Sequence, residues 1–333
     1  MGIRWIVNAV LLGIPVGVTT GVLIGVDSIK RSQGQATLFE GNIEDPIAGA
    51  GGGGGGGETV YPDNDKVTNE RHCEQYATVI PPSKGTQYML STNAWGWTEG
   101  TPGGLCLNVN ANNNGSYATD TTAPPFFITW QYPPGPATQP VHAFPNAQIY
   151  KKGLPLPINR ITSLALDVAW TYSVGDAPAA TTDVAALTAA LANTNVAFDM
   201  FLDADRAGSE DSTSAQYEVM VWLARFGAGS EPIGLAAGVV DTQVVNGTQF
   251  SLYTGSNSQN QTVLTWAVTD NIPTFTGDIL PLLARLSSLP LPGGITFSPS
   301  LYMGHIALGT EAFSSSANVT FGVEKLSIGL VTA

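Results

Sequence analysis

An all-β fold is predicted for this 333-residue chain by three observations. Gly (38) and Pro (22) are frequent and only 12% of residues are charged, a composition of short strands joined by turns rather than of a helical bundle. Runs in which apolar and polar residues alternate recur from His72 to Ala333, each bounded by turn residues. No internal repeat is long enough for a propeller or a solenoid, so one sheet-rich domain over 72–333 is expected.

The amino-terminal part reads differently. Trp5 to Val26 carries no charge over 22 positions, which at ~1.5 Å per residue would span a ~30 Å hydrocarbon core. It is expected to be a signal-anchor or a cleaved signal peptide, with both readings open: it exceeds the usual apolar region of a signal, and no clear A-x-A site follows. Residues 27–71 are rich in Gly, Asn and Asp, contain the run Ala50 to Gly57, and read as a flexible linker. The glycine run satisfies a G-x-G-x-x-G search trivially, but no strand precedes it and no helix follows, so it is not a dinucleotide site. Sequons at Asn114, Asn246, Asn260 and Asn318 favour a secretory route. The domain is therefore expected outside the cell, secreted or tethered through residues 5–26, and Lys30-Arg31 offers a point of proteolytic release.

Within the domain, Leu164 to Val174 alternates as a half-buried strand, with Leu164, Leu166, Val168, Trp170, Tyr172 and Val174 on the apolar face. Gly277 to Leu289 reads as the one convincing helix, with Asp278 as N-cap and Pro281 in its first turn. An alanine-rich helical stretch over Asp183 to Ala192 reads as an insertion at the edge of the sheets. Gln216 to Phe226, taken as a strand, puts Tyr217, Val219, Val221 and Leu223 on a core face and Glu218, Met220 and Trp222 on the other. A carboxylate beside an aromatic plate suits a stacked sugar ring. Glu311 shares its face with Gly309 and Phe313 in Leu308 to Ser316, and Asp199 alternates with Ala197 and Phe201 in Asn195 to Asp203. Each acid alone could be a solvated strand residue; three on aromatic-bearing faces of apolar strands point to a site, because burying acids costs free energy.

Composition narrows the partners. A formal charge of −13 disfavours nucleic acid and anionic headgroups. Two cysteines, Cys73 and Cys106, and three scattered histidines, His72, His142 and His305, are too few for a zinc centre, so no metal or cofactor is expected; the cysteines could make one disulfide.

The motifs TNAWGW (Thr92–Trp97), FPN (Phe144–Asn146), AFDMF (Ala197–Phe201), YEVMVWLARFG (Tyr217–Gly227), EPIG (Glu231–Gly234), FTGDI (Phe275–Ile279) and GTEAF (Gly309–Phe313) occur in this order. Together they resemble glycoside hydrolase family 12, which holds endo-β-1,4-glucanases and xyloglucan-specific members. The resemblance runs from about Cys73 to the end and does not cover the first 72 residues. It implies a β-jelly-roll sandwich of two antiparallel sheets with a concave groove for a β-glucan chain, acting as a monomer without a cofactor. It also implies Glu218 as nucleophile, Glu311 as acid/base and Asp199 as the acid that orients Glu218. Trp95 and Trp222 would stack glucose, Asn93 and Met220 would line the groove, and Cys73 would pair with Cys106. The motif departs at Ala312, where family members often carry Pro. A non-catalytic glycan-binding module and a related xylanase are the alternative readings.

Overall fold

The computed structural model describes residues 66–150 and 153–333. The expected membrane segment over 5–26 and the linker up to residue 65 lie outside them. Strands β1 (Val67–His72), β2 (Thr78–Val79), β3 (Tyr88–Ser91), β4 (Gly104–Asn112), β5 (Phe126–Gln131) and β6 (Asn146–Ile149) come first. They are followed by β7 (Leu156–Pro157), β8 (Ile161–Val174), β9 (Asn193–Asp203), β10 (Tyr217–Phe226), β11 (Asp241–Val245) and β12 (Thr248–Ser256). The chain closes with β13 (Thr262–Val268), β14 (Thr274–Asp278), β15 (Tyr302–Gly309), β16 (Ala312–Ser314) and β17 (Val319–Thr332).

These strands build two sheets. The smaller has the order β1-β4-β5-β17-β8-β14 and the larger β11-β12-β13-β10-β9-β15-β6-β3-β2, with β16 on β9 and β7 on β15. The pairing is antiparallel throughout except between β10 and β13, which run parallel. The linker expected over 27–71 ends earlier than its composition suggests, because residues 67–72 pair with β4. As an edge strand with mostly exposed side chains, β1 needs no apolar alternation to hold its place.

The core lies between the sheets and explains the alternation. Leu166, Val168, Trp170 and Tyr172 of β8, Ile128 and Trp130 of β5 and Phe321 of β17 meet Phe198 and Met200 of β9, Val219 and Val221 of β10 and Trp266 of β13 in one cluster. Each such side chain contributes ~1.5–3 kcal/mol on burial, which fixes the register, since a slip by one residue would turn the whole row outward. Val174, expected on the same face, is 40% exposed where β8 runs past the core.

Two helices flank the sheets. Val184–Ala189 starts at Asp183, whose carboxylate accepts from the Ala186 N–H at 3.0 Å. Leu280–Leu286, shorter than the expected Gly277 to Leu289, carries Pro281 in its first turn and buries Leu282, Leu283 and Leu286. Asp278 does not cap it as Ncap: its Oδ1 accepts from Leu280 N (2.9 Å) and from Leu164 N (3.0 Å), so it ties the helix start to β8. Arg285 Nε donates to Asp241 Oδ2 of β11 at 2.7 Å. Among the described residues no helix is long and apolar enough to cross a membrane.

Cys73 and Cys106 form a disulfide across a separation of 33 residues, linking the end of β1 to β4. By the loop-entropy estimate, opening it releases a constraint of about 3–4 kcal/mol. Reduction under native conditions, or Cys106→Ala, is expected to lower the unfolding free energy by about that amount in a urea titration, with both thiols blocked from alkylation before reduction.

Candidate active site

The face of the larger sheet turned away from the core is defined by its register. One cross-strand row reads His305, Phe201, Glu218, Val263 and Gly255 across β15, β9, β10, β13 and β12. The next reads Gln148, Ala307, Asp199, Met220, Thr265 and Tyr253, and the third Asn146, Gly309, Ala197, Trp222, Ala267 and Ser251. Glu218 and Asp199 are therefore diagonal neighbours on adjacent strands, close enough for side-chain contact. Glu311, two residues beyond Gly309, leaves β15 at the same end of β9. The structure brings together the three acids that the sequence left on separate motifs.

Each acid has its own surroundings. Glu218 Oε2 accepts from Asn257 Nδ2 at 2.9 Å. Asn257 sits in the turn between β12 and β13, where its Oδ1 takes the N–H groups of Gln259 and Gln261 and its Nδ2 also reaches Gln261 Oε1 at 2.7 Å. The buried Gln261 is anchored in turn to the Ser212 and Ala215 carbonyls, both at 2.9 Å. Glu311 is held by Asn195 in two ways: its backbone N–H donates to Asn195 Oδ1 at 2.8 Å, and Asn195 Nδ2 donates to Glu311 Oε2. Asp199 is 6% exposed, and its Oδ1 has no hydrogen-bond partner among the described residues. Glu218 takes its side-chain hydrogen bond from Asn257, while Asp199, to which the resemblance gives the orienting role, lies diagonally across from Glu218 on β9.

Burial and mutual repulsion set the protonation states. Glu311 is pushed up to about 8, first by burial and then by the nearby charge of Glu218, with the Asn195 bond opposing. Burial also raises Glu218, against the bond from Asn257. Asp199 is raised well above the ordinary carboxylate range by burial and by the charges of Glu218 and Glu311, with the Met200 N–H opposing. Three acids so close cannot all ionise; the arrangement keeps a proton on Glu311 at neutral pH and favours the protonated form of Asp199.

The expected sugar-binding residues divide into two groups. Trp95 is 46% exposed, on a loop where Gln75 Nε2 donates to the Ala94 and Trp97 carbonyls. Asn93 reaches the Phe144 carbonyl through Nδ2 at 3.2 Å. Trp222 and Met220, by contrast, are 3% and 4% exposed and pack with Phe144, Ala197, Ala267 and Ala307 into a floor beside the acids. The alanines on both sides of Trp222 leave room for the indole, whose Nε1 donates to Met220 Sδ at 3.3 Å. Phe313 is buried too, and its carbonyl lies 2.8 Å from His142 Nδ1. Gly309 is required by close approach: a Cβ there would lie 2.6 Å from the Pro145 carbonyl and 2.9 Å from Asn146 Cβ.

Asn195, Asn257 and Gln261 escaped the sequence reading. So did Tyr76, 62% exposed and directly opposite Asn93, since Thr92 N donates to Ala77 O and Ala94 N to Gln75 O. At the position of the family's Pro, Ala312 N donates to the Ala143 carbonyl at 2.9 Å, a bond that Pro could not make. Among the described residues no group of three or more His, Cys, Asp or Glu is arranged to hold a metal ion.

This fold has counterparts. The sequence profile of glycosyl hydrolase family 12 matches residues 86–330. A xyloglucan-specific endo-beta-1,4-glucanase A of Aspergillus niger is 29% identical over 229 residues, covering 69% of this chain and 80% of that protein. An inactive glycoside hydrolase of Phytophthora nicotianae is 27% identical over 236 residues, 70% of this chain and 83% of its own. The crystal structure of Trichoderma harzianum endoglucanase 3 superposes with a TM-score of 0.60 at 25% identity, over 79% of this chain and 98% of that one. The Humicola grisea Cel12A catalytic domain, solved with a thio cellotetraose, superposes with a TM-score of 0.58 at 22% identity, over 79% and 99%. With a profile match over most of the two-sheet domain and solved structures of the same fold, the chain belongs to glycosyl hydrolase family 12, a family of glycoside-cleaving enzymes.

Proposed function

We propose that the protein is a retaining endo-β-1,4-glucanase that hydrolyses β-glucan or xyloglucan of plant or fungal cell walls. The observation that carries the proposal is the asymmetry of the two glutamates: Glu311 is held protonated up to about 8, while Glu218 is raised by burial without a repulsive neighbour among its principal causes. Double displacement needs one ionised and one protonated carboxyl on opposite sides of the scissile bond. Glu218 attacks C1 as the glycosidic C–O bond breaks, and Glu311 gives its proton to the departing oxygen. Glu311, now ionised, takes a proton from water, whose oxygen attacks C1 and releases Glu218. Burial and the neighbouring charges favour the protonated form of Asp199, whose O–H can then donate to a carboxylate oxygen of Glu218 while the charge on the nucleophile changes.

Trp95 fits as a sugar-contacting residue exposed for stacking, and the nearly buried Trp222 as part of the floor beneath the sugar. Asn93, Met220 and Phe313 complete the lining. The name of the Aspergillus niger relative favours xyloglucan among the β-1,4-glucans. The inactive relative keeps a non-catalytic glycan-binding role in view. Against it stand three buried, mutually repelling acids, which binding alone does not require. The domain is proposed to act as a monomer outside the cell, released or tethered through residues 5–26 and the Gly-rich linker.

Two outcomes test this reading on the full-length chain. Glu218→Gln is expected to keep the fold and glucan binding and to lose hydrolysis by at least ~10³-fold, read as reducing ends released from soluble β-glucan and from xyloglucan; full activity in the folded variant removes Glu218 from the mechanism. The new reducing end is expected first as the β-anomer in an NMR time course, and α-anomer appearing first means inversion.

The raised acids also make a stability prediction. Between the ordinary Glu value of 4.5 and about 8, folded Glu311 keeps a proton that the unfolded chain has released. The folded state therefore binds more protons in this window, and its stability falls as pH rises through it. Glu218 and Asp199 act with the same sign, whereas the lowered His142 acts with the opposite sign below 6.5 and the lowered Asp211 and Asp241 below 3.8. Thermal scans from pH 5 to 8 (about the span of that window) should show a falling Tm whose slope is reduced in Glu311→Gln.

A further inference from the structure

We infer that Tyr172, acting through Thr194 and Thr310, is a positioning residue for Glu311, an assignment that rests on Glu311 being the acid/base. Tyr172 lies on β8 in the smaller sheet and points into the core, fully buried. Trp130 Nε1 donates to its hydroxyl at 2.6 Å. The same hydroxyl lies 3.1 Å from Thr194 Oγ1 on β9 and 3.1 Å from Thr310 Oγ1 beyond β15, both in the larger sheet. The two threonine oxygens are 2.7 Å apart. Thr194 Oγ1 donates to the Glu311 carbonyl at 2.7 Å and Thr310 Oγ1 to the Asn195 carbonyl at 2.5 Å.

The direction of this chain of bonds follows from its donors. An indole N–H can only donate, so the Tyr172 oxygen accepts at that side and its own proton must turn toward the threonines. Their protons in turn are drawn to the two backbone carbonyls. Those carbonyls belong to Glu311 and to Asn195, the residue that grips Glu311 by both its backbone and its carboxylate. One tyrosine of the opposite sheet thus holds both halves of the Glu311–Asn195 pair from beneath. The ring cannot swing away, because Phe321 stacks on it at 5.5 Å and Phe226 packs at 5.6 Å. A core this apolar would accept Phe at position 172 for packing; the hydroxyl and its three partners are the part that packing does not explain.

A loosened acid differs from a loosened fold in its effect on substrates with different leaving groups. The full-length chain is compared by kcat/KM, which reports cleavage of the glycosidic bond and not the later attack by water, on β-glucan, whose leaving oxygen needs a proton, and on 2,4-dinitrophenyl β-cellobioside, whose leaving group does not. Glu311→Gln serves as reference. Tyr172→Phe is expected to lower kcat/KM on glucan about tenfold, to stay within about twofold in kcat/KM on the activated substrate, and to move the basic limb of the pH profile to lower pH as water reaches Glu311. Thr194→Val should act in the same direction and Thr194→Ser should restore the parent values. If Tyr172→Phe fails to fold, the Thr194 pair decides. Equal losses on both substrates, or no loss on either, overturn the inference provided Glu311→Gln is selective for glucan. A Glu311→Gln variant equally slow on both substrates overturns the acid/base reading itself.

Discussion

Three carboxyl groups placed side by side on one sheet face are the constraint around which the rest of this structure is arranged. Asp199 and Glu218 are brought together by the register of β9 on β10, and Glu311 arrives from the end of β15 on the other side of β9. Coulomb repulsion between groups at such range, with little water to screen it, forbids three negative charges. The energy of that conflict is relieved by retaining protons, and the protein decides where they stay. Asp199, with Oδ1 unpartnered, is the worst place for a charge; Glu218, which accepts from Asn257, is a better one. Protonation is thus assigned by repulsion and hydrogen bonding laid over a common burial that raises all three.

Such an assignment holds only if the groups cannot move apart. Relief by displacement is closed off at Glu218 by β10, whose neighbours β9 and β13 pair along most of its length. Glu311 has no such protection, since it lies between β15 and β16 in a short irregular link. Its stiffness must come from bonds across the chain, and it does: Asn195 from the side, Thr194 from below, and the bridge between Ala143 and Ala312 just beyond it. The least regular of the three backbones carries the densest set of side-chain bonds.

The all-β class and the placing of the three acids on faces turned from the core were legible in the sequence because alternation is written locally. Alternation marks β8, β9 and β10 residue by residue, and the motifs around Asp199, Glu218 and Glu311 keep each acid beside its aromatic neighbours. What escaped is what only pairing creates. Asn257 stands 39 residues from Glu218 in a polar turn that looks like any other, and it meets the acid only because β13 runs parallel to β10. Asn195 was read as the start of an apolar strand, with no sign that it would face a residue 116 positions away. β1 was merged with the linker because an exposed edge strand has no apolar period. Trp222 was legible as a cleft residue but not as a nearly buried one, since its burial comes from the alanines that flank it on β9 and β13.

The departure at Ala312 shows how such a site tolerates change. Proline would stiffen the backbone after Glu311 by fixing its own φ, a purely local device. Alanine gives up that stiffness but supplies an N–H, and the structure uses it: Ala312 N donates to the Ala143 carbonyl while the His142 N–H donates back to the Ala312 carbonyl at 2.9 Å. A reciprocal pair of bonds to a neighbouring segment restrains both sides of residue 312. That segment is in turn seated against β15 by the absence of a side chain at Gly309. Rigidity next to the acid is therefore supplied by tertiary pairing where the family pattern supplies it by covalent geometry, and the position of Glu311 here depends on segments far away in sequence: Ala143 in one direction, Thr194 and Tyr172 in the other.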